Sequence, residues 1–144
     1  MSGYPFFANS KNFRGVNNKM EQQERYEFLR KQNYELYALC RDADHYADID
    51  SIIALIKARL ALEVVVRLCL EACHSHSQHN LFQDITTLTA TGKVDKATCN
   101  QMQELRRRTN KAVHQDTGSP KSTFFCLNML FDIVSWYQVY FGNK

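Results

Sequence analysis

Residues 51–73 read SIIALIKARLALEVVVRLCLEAC, and this stretch decides the fold. Drawn as a helix, it is apolar on almost every side, which is typical of the central helix of a bundle. The helix would span roughly 35 Å, with Asp50 or Ser51 as its N-cap. The β-branched residues would also suit a strand, but the length and the charges favour a helix. Charges of alternating sign follow one another at intervals of four along one edge, at Arg59, Glu63, Arg67 and Glu71.

Four further helical segments surround this stretch in the sequence. Their expected positions are 20–42, 81–91, 95–114 and 119–141. An acidic linker at 42–48 is expected to end the first, Gly92 to end the second, and Asp95 and Ser119 to cap the last two. Because neither strand-like alternation nor an internal repeat is visible, we predict an all-α fold, a single-domain bundle of about five helices with a long buried central helix. Residues 19–144 would form this helical-bundle domain, and residues 1–18 an irregular N-terminal arm.

The composition is that of a globular protein with one basic face. The chain has 144 residues, of which 44% are apolar and 23% charged, and its net charge is +3. Residues 1–20 carry three cations and no acid, and residues 93–121 carry seven Lys or Arg against three acids. A basic face of this kind is compatible with nucleic acid, and equally with an acidic protein partner.

Cysteine usage and the apolar C-terminal run bear on the compartment. Five cysteines, without a paired spacing, and an N-terminus without a continuous apolar core predict reduced, mostly buried thiols in a cytoplasmic protein. The run at 124–141 carries one polar stripe, so no membrane association is expected. Its many aromatic residues could all lie in the core, but they favour a homodimer through this last helix.

The strongest candidate site is LRRRTNKAVHQD, residues 105–116. At about 100° per residue, four of its polar side chains share about 100° of arc, namely Arg106, Arg107, Asn110 and His114. Lys111 belongs to the same basic stretch, whereas Arg108 lies roughly 160° from Asn110. Leu105, Thr109 and Val113 would face the core. Lys57 and Arg59 would extend the basic face if the central helix packs beside it.

Three interpretations of this face stay open. Arginine holds phosphate through charge and its forked donors, so binding of RNA or DNA is our leading hypothesis. Arg107 and His114 beside an RNA 2′-hydroxyl would in principle allow metal-independent cleavage, with His114 as general acid and base and Arg107 steadying the phosphate. The third interpretation is a solvated face whose Asn110 and His114 have a purely structural role. We favour binding over catalysis.

A second cluster contains residue types that zinc accepts, at Cys69, Cys73, His74, His76 and His79. It has no Cys-x2-Cys pair, and Cys69 belongs to an apolar helix in which thiols usually fill space. We therefore interpret the cluster as core thiols beside an exposed histidine-rich loop. The sequence also shows no Gly-rich phosphate loop and no nucleophile elbow, so neither a metal nor another cofactor is predicted.

Two segments resemble a known family. ALIKARLALE at 54–63 and LRRRTNKAVH at 105–114 are similar to the "LIK-x-R" and "LR-x-x-GN-x-AVH" helices of the small helical domain at the N-terminus of type I restriction enzyme R subunits. The resemblance covers about residues 24–141, with Thr109 where the family prefers glycine. It implies an accessory module of bacterial or phage-defence proteins, and it matches its motif to Lys57, Arg59, Glu63, Asn110 and His114.

A looser resemblance concerns the spacing of Arg107 or Arg108 from His114. It is similar to the Arg-x(4–6)-His signature of the higher-eukaryotes-and-prokaryotes nucleotide-binding (HEPN-like) domains, many of which are dimeric RNases. Together these patterns predict a stand-alone helical accessory module, dimeric, that binds nucleic acid or a partner protein of a defence system through the face from Arg106 to His114. A metal-independent RNase and a structural interaction scaffold are the alternatives.

Overall fold

The computed structural model of the chain describes residues 24–115 and 119–142. This part of the chain contains five α-helices and no strand: α1 is Tyr34–Tyr46, α2 is Ser51–Ala72, α3 is Leu81–Thr91, α4 is Lys96–Gln115 and α5 is Pro120–Tyr137. A 3₁₀ turn, Glu27–Leu29, precedes α1, and a π-helical turn, Gln138–Gly142, follows α5. The predicted all-α bundle is confirmed. The predicted irregular arm at 1–18 lies outside the described residues.

The second helix, α2, is the centre of the bundle, as its sequence predicts. It packs against α1, α3, α4 and α5, and apolar side chains such as Leu62 and Val65 are fully buried along it. The carboxylate of Asp50 accepts hydrogen bonds from the backbone N–H groups of Ile52 and Ile53 at 3.1 and 3.2 Å, which fixes where the helix begins. Because α2 is buried on several sides, packing fixes its position and therefore the position of the side chains on its one polar edge.

The N-terminal part of the bundle differs from the sequence prediction. The expected continuous helix over 20–42 is wrong, because the chain forms a 3₁₀ turn at Glu27–Leu29 and α1 begins only at Tyr34, from which it runs to Tyr46. The side chain of Asn33 accepts a hydrogen bond from the backbone N–H of Leu36 at 3.0 Å and so begins a new helix. The expected break in the acidic linker at 42–48 comes later, because Asp44 is buried against Arg25. Its side-chain charge therefore does not disrupt the helix.

The boundaries of the last three helices follow local signals that the sequence shows. Gly92 ends α3 in the left-handed region, with φ at 71°. Asp95 accepts from the backbone N–H of Thr98 at 2.9 Å before α4, and Ser119 accepts from that of Ser122 at 3.1 Å before α5. Asp95 thus fixes where α4 begins, and this helix contacts α2, α3 and α5.

The aromatic α5 packs most of its apolar side chains into the core. Leu127, Leu130, Ile133 and Val134 are fully buried, whereas Phe125 is half exposed. Over residues 24–115 and 119–142, no helix combines the length and the apolarity that a membrane crossing requires. All five cysteines are free thiols, and all but Cys73 are buried, which agrees with the expected packing role.

Candidate functional site

The fourth helix, α4, separates its apolar side chains from its charged ones. Met102, Leu105 and Thr109 are fully buried against the bundle. The hydroxyl of Thr109 donates to the backbone oxygen of Leu105 at 2.9 Å, so this polar side chain is satisfied within its own helix. The predicted inward face of α4 is therefore confirmed, and the arginines of the helix lie on its outer side.

One depression borders α4 on the side of α2 and α3, and we call it the α2–α4 cleft. Its volume is about 590 Å³, which is within the range of small-molecule and cofactor pockets. The side chains that matter for its chemistry are Arg59, Glu63, Arg67, Phe82, Arg106 and Asn110. These six side chains bring three guanidinium groups, one exposed carboxylate, the amide of Asn110 and one aromatic ring to the cleft.

The position of Arg106 in this cleft is set by neighbours on three helices. Its Nε donates to Oε1 of Gln103 at 2.8 Å, and its guanidinium carbon lies 5.2 Å from the centre of the Phe82 ring. Arg59 of α2 donates from Nη1 to the backbone oxygen of Arg106 at 3.3 Å. Two arginines from different helices therefore meet at one point of the cleft.

The charge on Arg106 is poorly compensated. Within the described residues its side-chain hydrogen bond goes to the neutral amide of Gln103, and no carboxylate pairs with it. Burial, followed by the charges of Arg107 and Arg59, lowers the pKa of Arg106 below its usual value. The structure thus keeps a partly buried cation beside two other cations. A bound anion would relieve this repulsion, since it would pair with the charge that burial and like charges disfavour.

The acids that line the cleft are already used. Glu63 pairs with Arg59, with Oε2 3.5 Å from Nε. Asp84 is buried and accepts hydrogen bonds from Oγ of Ser77 at 2.6 Å and from the backbone N–H of Gln78 at 2.8 Å. Asp84 therefore holds the loop that precedes α3 and does not neutralise Arg106.

A second depression lies on the other side of α4, and we call it the α4–α5 groove. Its volume is about 510 Å³, and its charged side chains are Glu104, Arg107, Arg108 and Lys111. Glu104 accepts from Nη2 of Arg107 at 2.8 Å and from Nε of Arg108 at 2.7 Å. These two hydrogen bonds lower the pKa of Glu104. One carboxylate faces three cations here, so the groove keeps an excess of positive charge.

The predicted site residues therefore lie in different depressions of the surface. Arg59, Glu63, Arg106 and Asn110 meet in the α2–α4 cleft, whereas Arg107 and Lys111 line the α4–α5 groove. Lys57 lies in neither, but in a third depression between α1 and α2, where Glu35 and Asp42 are its acidic neighbours.

The sequence predicted Arg107 and His114 as the candidate catalytic pair. His114 is exposed near the end of α4 and lines neither the α2–α4 cleft nor the α4–α5 groove. Arg107 is held by Glu104 in the groove. The two side chains therefore do not share either of these two depressions, and it is Arg106 that lies beside Arg59 in the α2–α4 cleft.

Sequence reasoning missed several side chains of the cleft, and three of them are a third guanidinium, an imidazole and an aromatic ring. Arg67 was recognised only as a member of the charge ladder along α2. His79 belonged to the histidine-rich loop, where it adopts a left-handed backbone with φ of 59° and lines the cleft. Phe82 was not singled out in the sequence, and its side chain is 53% exposed. The available signal was the helical period, which places Leu81, Ile85 and Leu88 on one face of α3 and Phe82 about 100° away from Leu81.

The cysteine and histidine cluster does not converge. Within the described residues, no group of three or more His, Cys, Asp or Glu side chains is placed to hold a metal ion. Cys69 is buried, and burial raises the pKa of its thiol to about 12, so the thiolate that zinc prefers is disfavoured. The interpretation of Cys69 as a core residue is confirmed.

In comparisons with known proteins, the chain matches no protein family, no curated protein and no solved structure. The resemblances to the restriction-subunit domain and to the HEPN-like domains therefore stay predictions. The two segments that carry the first resemblance do lie together, since Arg59 of one donates to the backbone oxygen of Arg106 in the other.

Proposed function

We propose that this protein binds nucleic acid, and that the arginines of the α2–α4 cleft hold its phosphate groups. The α4–α5 groove would be a second phosphate contact. The observation that carries the proposal is the position of Arg106, a partly buried cation that has Arg59 and Arg107 as charged neighbours and a neutral amide as its hydrogen-bond partner. A phosphate would provide the missing negative charge and accept hydrogen bonds from the planar guanidinium.

The second groove supports the same ligand. The side chains of Arg107 and Arg108 are 56% and 41% exposed, and their shared partner Glu104 is 37% exposed. Exposed ion pairs of this kind contribute little free energy, so a phosphate can replace Glu104 at small cost. Cations on both sides of one helix suit a polyanion that passes over it better than a single small anion.

Two predictions accompany this proposal. The chain would act as an accessory module of a defence system, as its sequence resemblance implies, and an acidic protein partner would be an alternative occupant of the same cations. A homodimer would use α5 together with the π-helical turn that follows it, where Val139 and Tyr140 are more than half exposed. Light scattering of wild type and of Tyr140→Asp measures this self-association. A monomeric wild type at high protein concentration would contradict it.

The test of the proposal is fluorescence anisotropy with labelled 20-nucleotide RNA and DNA at low salt. Wild type should bind, and Arg106→Ala combined with Arg59→Ala should weaken binding at least about tenfold, since both guanidinium groups lie in the same cleft. Arg30→Ala is the matched control, because its side chain is 58% exposed and paired with Glu27 far from α4 in the sequence.

Two outcomes would contradict the proposal. One is the absence of binding to both RNA and DNA at low salt, and the other is an affinity that the double arginine substitution does not change. Recovery of intact RNA after incubation would exclude the RNase alternative. Cleavage that persists with chelator and disappears in His114→Ala would establish it.

A further inference from the structure

Two exposed phenylalanines stand at opposite sides of α4, and each is covered by an arginine of that helix. Phe82 of α3 is 53% exposed and Phe125 of α5 is 51% exposed. The guanidinium carbon of Arg106 lies 5.2 Å from the centre of the first ring, and that of Arg108 lies 4.6 Å from the centre of the second. Both rings are therefore open to solvent, and each has a guanidinium group of α4 against it.

One ring lines a depression already described, and the other lies in a neighbouring depression that shares three residues with the α4–α5 groove. Phe82 lines the α2–α4 cleft together with Arg59 and Arg106. Phe125 lies beside Arg108, Ser119 and Ser122, and these three residues also line the α4–α5 groove. Each phosphate contact of the proposed function therefore has an aromatic ring next to it.

From this arrangement we propose that the ligand is a single-stranded nucleic acid that crosses α4, with one base stacked at Phe82 and another at Phe125. The inference rests on the proposed function, because the arginines must first hold the backbone. Unpaired bases stack on aromatic rings and on the planes of guanidinium groups, and both kinds of surface are present at each position.

The dimensions of α4 agree with a strand of this kind. A helix with its side chains is about 10–12 Å across. A strand with one phosphate per ~3.4 Å or more would cross it within about three nucleotides. Arg106 would then hold a phosphate on the first side, Arg107 and Lys111 would hold one on the second, and the bases between them would be free to reach the rings.

A duplex would use the same surface less well. Its bases are already paired and stacked, and a ring could contact them only after a base step has been opened, which costs a few kcal/mol per step. The inference therefore predicts a preference for single strands over a duplex of equal length.

The experiment compares two labelled 12-mers at 50 mM salt, oligo-uridine and an abasic strand with the same number of phosphates. Wild type should bind oligo-uridine more tightly. Phe82→Leu and Phe125→Leu should each weaken the binding of oligo-uridine at least about fivefold and leave that of the abasic strand unchanged. Phe82→Trp should restore the affinity, since it returns a ring. Tyr34→Leu, which removes an aromatic side chain 57% exposed on α1, is the matched control.

The outcomes separate this inference from the proposed function. If both strands bind equally and the leucine variants bind as wild type does, the phosphate contact stands and the stacking inference is overturned. A duplex 12-mer that binds as tightly as the single strand also overturns the inference. If no strand binds, the proposed function has failed and this inference with it. Circular dichroism melting of each variant shows that a lost affinity is not a lost fold.

Discussion

The buried ion pair between Arg25 and Asp44 leads to the strongest stability prediction. The guanidinium donates to both carboxylate oxygens of Asp44, at 2.9 and 2.8 Å, and to Oδ1 of Asn128 at 3.0 Å. The side chains of the pair are 2% and 1% exposed. This contact joins the segment before α1 to both α1 and α5. We expect Asp44→Ala to destabilise the protein severely, because it leaves a buried cation without its carboxylate.

The magnitude follows from the burial of both groups. Removal of one partner of a buried ion pair typically costs about 3–5 kcal/mol, out of a total stability of about 5–15 kcal/mol for a domain. With a denaturant slope of about 2 kcal/mol per molar urea, a loss of ~4 kcal/mol would lower the unfolding midpoint by about 2 M. The exposed Asp48, just after α1, is the matched control. Asp48→Ala should change the stability by no more than about 0.5 kcal/mol.

Urea unfolding followed by circular dichroism measures this difference. A third variant, Arg25→Met with Asp44→Leu, removes both charges and should recover most of the lost stability, since an apolar replacement of a buried pair is often neutral. A loss below about 1 kcal/mol in Asp44→Ala would refute the reasoning. So would a double variant that is as unstable as the single one.

Two smaller predictions concern Glu104 and Tyr26. Hydrogen bonds from Arg107 and then Arg108 lower the pKa of Glu104 below its ordinary value of 4.5, so its charge stabilises the fold above that pH and the effect is lost as the pH falls through the lowered pKa. The difference in unfolding midpoint between wild type and Glu104→Gln should therefore be present at pH 7 and shrink as the pH falls below 4.5, and a difference that does not shrink would count against it. The hydroxyl of Tyr26 is buried without a hydrogen-bond partner in the described residues, so Tyr26→Phe should keep or raise the stability by about 1 kcal/mol. Thermal melting checks this, and a loss above about 1 kcal/mol would be inconsistent with it.

The central and C-terminal helices could be predicted from the sequence because their signals are local. Asp50, Gly92 and Ser119 act on backbone groups within three residues of themselves, so a sequence window contains all the information that places them. The first helix could not be placed in this way. Its course depends on Arg25, which pairs with Asp44 across 19 positions, and no local pattern shows that a charged residue in an acidic linker will be buried.

The candidate site could be predicted on α4 but not beyond it. The helical period assigns Thr109 to the core and the arginines to the outside, and both assignments hold. The period does not show that Arg106 and Arg107 enter different depressions, because that depends on where α3 and α5 pack. The exposure of Phe82 and Phe125 has the same origin, since each ring lies on a neighbouring helix whose position relative to α4 is set by tertiary contacts.

The central claim is that Arg59 and Arg106 hold the phosphates of a nucleic acid strand, and the salt dependence of affinity tests it most directly. Each phosphate contact on a single strand contributes about 0.7 to the slope of log affinity against log salt concentration. From 50 to 200 mM salt, wild type should therefore show a steeper slope than Arg59→Ala with Arg106→Ala, by about 0.7 to 1.4. Equal slopes for the two proteins would contradict the account.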